Sequence, residues 1–159
     1  MTNSSRRQLD FRSADEVLED IEHLRTVGYS KLKNWNLTQI CEHLHETTKG
    51  GMDGFGFRLP WILRATIVKW VFRFALKRRK LLSGAPTFNS LLPKSQEEDP
   101  QLIERCIQTT RRAGEFQGSM EGYALLDNLS TEDWKQFMWL HASHHLSFLI
   151  PNDSEQGSL

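Results

Sequence analysis

His141 and His145 stand four residues apart near the C-terminal end of the chain, with His144 beside them. At about 100° per residue, with Trp134 set to zero, His141 falls at about −20° and His145 at about +20°. Both are therefore centred on the apolar stripe of Trp134, Phe137, Met138, Phe148 and Leu149, while His144 falls at its edge. A polar group buried without a partner costs about 1–3 kcal/mol. A shared divalent cation removes that cost, because residues i and i+4 of a helix bring two imidazole nitrogens within reach of one ion at about 2.0–2.1 Å from each. The plainer alternative is a pair of core histidines, each bonded to a carbonyl or carboxylate of a neighbouring helix.

A third ligand would have to come from another element, and His43 and His45 are the candidates. Two residues apart on a helix, they point about 160° away from each other, so only one can face a given site. His45 lies nearer the stripe of Leu37, Cys41 and Leu44, and His43 shares a flank with Ile40 and Thr47, so the helical wheel leaves the choice open. Other chemistries fit less well. Cys41 and Cys106 sit among apolar residues at helical spacing and read as core thiols. Ala142 occupies the place where a zinc protease carries glutamate, and Ser143 points about 100° from His144, so their adjacency is no evidence for a serine nucleophile. Glycines 50, 51, 54 and 56 read as a flexible turn that matches no phosphate-binding fingerprint.

The elements that must position these residues belong to a chain of 159 residues with 20 basic and 20 acidic side chains, 38% apolar residues and 10% aromatic ones. That composition supports one hydrophobic core and argues against full disorder. Two cysteines and no signal-peptide pattern argue against a disulfide-stapled secreted protein and for a reducing, cytoplasmic setting. The zero net charge is unevenly spread. No Asp or Glu occurs between Gly54 and Gln96, where Arg58, Arg64, Lys69, Arg73, Lys77, Arg78, Arg79, Lys80 and Lys94 all fall.

Residues 1–10 and 151–159 are polar and read as mobile tails flanking one domain over 11–150. Five helices are expected there. Ser13 and Glu16 open the first, which Gly28 stops; Asn36 and Gln39 open the second, which ends at Gly50 and Gly51. Pro60 starts a third that runs to about Leu82, Asp99 and Pro100 start a fourth, and Ser130 with Asp133 starts the last, which Pro151 closes. No run alternates long enough for a strand. The fold class is all-α, most simply a four-helix bundle with one additional helix. The third helix carries Lys69, Arg73, Lys77 and Lys80 along one side and Leu63, Ile67, Trp70 and Phe74 along another. Its apolar run is too interrupted for a transmembrane segment, but as a basic amphipathic helix it suits a membrane surface or an acidic partner. A non-catalytic interaction module is thus the alternative to a metal centre, and no recognised nucleic-acid motif accompanies it.

The run Trp35, Asn36, Leu37, Thr38, Gln39, Ile40, Cys41, Glu42, His43, Leu44 resembles the second-helix signature of DinB-like (YfiT-like) proteins. Leu129 to Trp134, followed by His141, Ala142, Ser143, His144, His145 and Leu146, resembles their last helix. Gly84, Ala85, Pro86, Thr87 and Pro93, with the paired His144 and His145, are similar to the branch known as domain of unknown function 1569, from which Phe148 departs where glutamine is common. The resemblance spans most of residues 11–149. It implies a DinB-like four-helix bundle holding a divalent metal on a histidine triad, here His43, His141 and His145, and so favours His43 over His45. It also implies an enzyme class that includes metal-dependent thiol transferases and isomerases using a small thiol. A metal that lowers the pKa of bound water makes a hydrolase the other option, and a homodimer is the assembly considered. Three imidazoles leave an open position, which suits a small-molecule substrate. Zinc is the first choice, with nickel, iron and manganese also accepted by imidazole. His144 is a candidate proton carrier or donor to a ligand.

Overall fold

Ser13 accepts a hydrogen bond from the Glu16 amide at 3.3 Å and opens α1 (Ala14–Val27), whose buried face is Val17, Ile21 and Leu24. Gly28, at φ 73°, ends it and returns its own amide to the Leu24 carbonyl at 3.0 Å. In α2 (Leu37–Asp53) the expected reciprocal cap forms, with Asn36 accepting from the Gln39 amide at 2.8 Å and Gln39 from the Asn36 amide at 3.0 Å. Asp99 and Pro100 start α5 (Pro100–Glu115), and Ser130 starts α6 (Thr131–Leu146). The computed structural model describes residues 5–81 and 87–153. Gly84, Ala85 and Pro86 of the expected motif therefore lie outside the described residues.

Three boundaries differ from expectation. The last helix ends at Leu146, so Phe148 and Leu149, expected on its apolar face, lie beyond it in a turn and a short strand. The second helix continues through Gly50 and Gly51 and stops at Gly54, so these glycines are packing positions and not a turn. A Cβ on Gly51 would stand 2.5 Å from Trp134 Nε1, and the bare backbone is what lets the indole seat against α2. The third segment is built from α3 (Trp61–Leu63), a π-helical stretch over Arg64–Val68 and α4 (Lys69–Arg78). It stops before Leu82 because Arg79 turns left-handed at φ 50°. The Arg79 guanidinium anchors that turn by donating to Asp10, Gln136 and the Phe11 carbonyl at 2.9, 3.0 and 2.6 Å.

The chain is predominantly helical. α1 and α2 each pack on both α5 and α6, and α4 packs on α6. Ile21, Leu24, Ile40, Cys41, Cys106 and Trp134 fill the centre, with both cysteines fully buried as expected of core thiols. The structure also holds an element that the sequence pattern does not predict. A short antiparallel ribbon pairs β1 (Tyr29–Lys31) with β2 (Leu149–Pro151), with Ser30 opposite Ile150. Three residues per strand are too few to show alternation. The segments expected as tails are partly held: Arg7 pairs with Asp20 at 2.6 Å, Arg6 donates to Ser147 Oγ at 2.6 Å, and Pro151 belongs to the ribbon. The ribbon ties the connection between α1 and α2 to the end of α6, and this join assembles the histidine cluster.

Candidate metal centre

α2 presents His43 and His45 to different neighbours. His45 turns to α5, where its Nδ1 lies 2.7 Å from Thr109 Oγ1. His43 turns to α6, and its Nδ1 donates to the Leu91 carbonyl at 2.7 Å, from a single 3-10 turn over Asn89–Leu91. A carbonyl can only accept, so this bond places the His43 proton on Nδ1 and leaves the Nε2 lone pair facing inward. From α6, His141 and His145 complete the group. His43, His141 and His145 offer one nitrogen each within 4.8 Å of one another. The residue that organises them is Trp35, just beyond β1. Its ring stacks on His145, with centroids 5.4 Å apart and planes 19° apart, and tilts against His43 at 5.2 Å.

His141 Nε2 lies 3.1 Å from His43 Nε2 and 3.0 Å from His145 Nε2. Protons alone satisfy only one of these contacts while the rings are neutral. If His141 Nε2 carries a proton it can serve His43, but it then has no lone pair for His145; without a proton it can accept from His145, but it faces the lone pair of His43. An imidazolium is opposed by burial. Burial lowers the His43 pKa, partly offset by the Leu91 carbonyl. Burial first, then the neighbouring imidazoles, hold His141 and His145 well below their ordinary value. His141 Nδ1 is buried and without a hydrogen-bond partner among the described residues.

A cation among the three nitrogens resolves both contacts at once, since it draws on three lone pairs and needs no proton. Two nitrogens bound at about 2.05 Å in tetrahedral geometry stand about 3.3 Å apart, close to the spacings found between these rings. The donor set is three neutral imidazoles, and the residues present therefore fit a divalent ion.

His141 and His145 keep part of their surface open to a cavity of about 830 Å³, also lined by Trp35, Phe55, Val71, Phe88, Tyr123 and Phe137. Among the described residues no Asp or Glu lines it. The cavity is thus apolar, with the histidines as its main polar group. His144 lines it without joining the cluster: its ring meets the edge of His145 at 5.1 Å, and its Nδ1 accepts from Arg6 at 3.1 Å. Burial, then Arg6 and Lys33, push its pKa down to about 4. Arg6 and Lys33 each lie 4.2 Å from the centre of the Phe148 ring. Neither cation, nor the supporting roles of Trp35 and the Leu91 carbonyl, was singled out from sequence. The Trp35 to His43 spacing was the only signal that touched any of them.

A family model described as a protein of unknown function, DUF1569, matches residues 3–152. The chain belongs to the DUF1569 family. No curated protein and no solved structure matches it. Family membership covers His43, His141 and His145 together with Trp35 and Leu91, so the whole cluster described above lies inside the DUF1569 region.

Proposed function

We propose that this DUF1569 protein is a DinB-like four-helix bundle, formed by α1, α2, α5 and α6, that binds one divalent metal ion, zinc first, on His43, His141 and His145. The observation that carries the reading is the pair of Nε2 contacts at 3.0 and 3.1 Å that no placement of protons on neutral rings satisfies. A bound ion supplies Lewis acidity and lowers the pKa of a water or thiol that reaches it.

The chain's own groups do the rest. The Leu91 carbonyl fixes the His43 tautomer, and the Trp35 ring holds His145 against rotation. Apolar walls orient a small-molecule substrate, for which a small thiol or a hydrolysable bond is our assignment. Among the described residues no carboxylate lines the cavity and Lys33 does, which favours a substrate that brings an anionic or readily ionised group to the ion. His144 stays neutral near pH 7 and accepts from Arg6, which suits it to positioning better than to proton delivery.

The test is elemental analysis of untagged protein beside a variant carrying His141→Ala and His145→Ala. About one ion per chain, lost in the variant, supports a catalytic type of site with three protein ligands. Absence of metal in both, after incubation with zinc, nickel and manganese, refutes it. Loading with each of these ions separately ranks them.

A further inference from the structure

Solvent-facing helix surfaces are ordinarily polar, and the helical segment over residues 61–78 departs from that in its first half. Trp61 is 68% exposed, Ile62 56%, Ile67 64% and Trp70 61%. The segment is anchored at its other end, where Phe72 and Ala75 are buried and Phe72 stacks on Phe137 of α6 with centroids 3.8 Å apart. Upstream, Arg64 pairs with Asp127 at 3.1 Å, and the large apolar side chains beside it point away from the core.

The cations on the same segment are equally unmatched. Lys69, Arg73, Lys77 and Arg78, with Lys80 just past the segment's end, are exposed and make no ion pair among the described residues. Arg58, Arg64 and Arg79, by contrast, are taken by Asp127 and Asp10. The exposed surface therefore combines two tryptophans and two isoleucines with a row of positive charges that no described carboxylate pairs.

Charge selects the occupant. A second copy of this face would set Lys69, Arg73 and Lys77 against the same cations, with no carboxylate between Gly54 and Gln96 to relieve them. Nucleic acid would use the cations but leave Ile62 and Ile67 in water. An anionic bilayer takes both sets, seating aromatic and aliphatic groups at the headgroup boundary and the ammonium and guanidinium groups against phosphates.

We propose that the segment over residues 61–78 docks the protein on an anionic membrane surface through Trp61, Ile62, Ile67 and Trp70, with Lys69, Arg73 and Lys77 on the lipid headgroups. Val71 of the same segment lines the histidine cavity, so docking sets that cavity one helix away from the bilayer. The proposal does not depend on the metal assignment.

Partition onto phosphatidylcholine vesicles with and without phosphatidylglycerol tests it, using full-length protein and two variants. One carries Lys69→Gln, Arg73→Gln and Lys77→Gln; the other carries Trp61→Ser and Trp70→Ser. All five side chains are exposed, and unchanged thermal unfolding verifies that both variants fold. Binding is expected only with phosphatidylglycerol and weakens with salt. It drops about fivefold per removed cation, about 100-fold in the triple variant, and at least about tenfold in the tryptophan variant. A blue shift of tryptophan emission accompanies it in the parent protein. Absence of vesicle binding, equal binding to neutral vesicles, or full binding by either variant overturns the proposal. So does a dimer that dissociates in the tryptophan variant while vesicles remain unbound, which assigns the face to a second copy.

Discussion

Replacing His141 by phenylalanine gives opposite signs for a metal centre and for a structural histidine network. His141 Nδ1 is buried without a partner among the described residues, and such a group costs about 1–3 kcal/mol. Its Nε2 makes at most one satisfied hydrogen bond to a neutral neighbour, worth about 1 kcal/mol. Phenylalanine removes both terms, and the Nε2 atoms of His43 and His145 are left beside a cavity that water can enter. The metal-free variant should thus match the parent or exceed it by up to about 2 kcal/mol, which raises Tm by as much as about 8 °C for a domain of this size. Zinc at about 100 times its Kd should stabilise the parent by about 2.7 kcal/mol, or about 5–11 °C, and should leave the variant unmoved. Thermal unfolding of untagged protein, with chelator and then with zinc, reads both quantities. A variant that melts several degrees below the parent in chelator, or that keeps the zinc shift, refutes the reasoning.

Trp35→Ala removes the ring stacked on His145 and tilted on His43; metal affinity should fall about tenfold or more while the helical content persists, measured by competition with a chromogenic chelator. In chelator the folded protein should lose stability as pH falls below about 6.5. Unfolded histidines take up protons there, whereas His43, His141 and His145 have lowered pKa values and remain neutral, so each adds a slope of up to about 1.4 kcal/mol per pH unit. Urea titrations at about pH 7 and about pH 5.5 check the sign, and a flat profile contradicts neutral burial. Gly51→Ala improves helix propensity but drives a Cβ to 2.5 Å from Trp134 Nε1; the expected net loss is about 1–3 kcal/mol in the same titration, and a gain would show that the indole can move.

Helix starts were legible because caps are local. Ser13, Asn36, Asp99 and Ser130 each accept from an amide two or three residues on, which sequence alone can place. Helix ends were less so. Gly28 stops α1 because the chain there needs a positive φ, whereas Gly50 and Gly51 are glycines because side chains press against them, Phe55 folding back just past the helix end onto Gly50 and Trp134 reaching Gly51 from a distant part of the chain. A residue's identity is the same in both cases; only the tertiary neighbour separates them. Arg79 shows the converse, a non-glycine left-handed stop held by Asp10, Phe11 and Gln136, none of them local.

The site was half legible for a similar reason. His141 and His145 were visible because helical periodicity stacks them, but the stripe that marked them is only one of two buried sides of α6. Trp139, Leu140, Ser143 and Leu146 are buried as well, so α6 is enclosed nearly all round and its histidines face a cavity, not solid core. The wheel could not choose between His43 and His45, since both point at helices; what differs is that α5 meets His45 with a threonine hydroxyl and α6 meets His43 with a second imidazole. The groups that make the cluster a competent donor set are the least visible of all. One is a backbone carbonyl 48 positions from His43, and the other a tryptophan brought to His145 by a ribbon of three residues per strand. Sequence can name candidate ligands when helical geometry repeats them, but the proton inventory that favours a cation over a hydrogen-bonded core exists only once Leu91 has fixed a tautomer and burial has removed the charge.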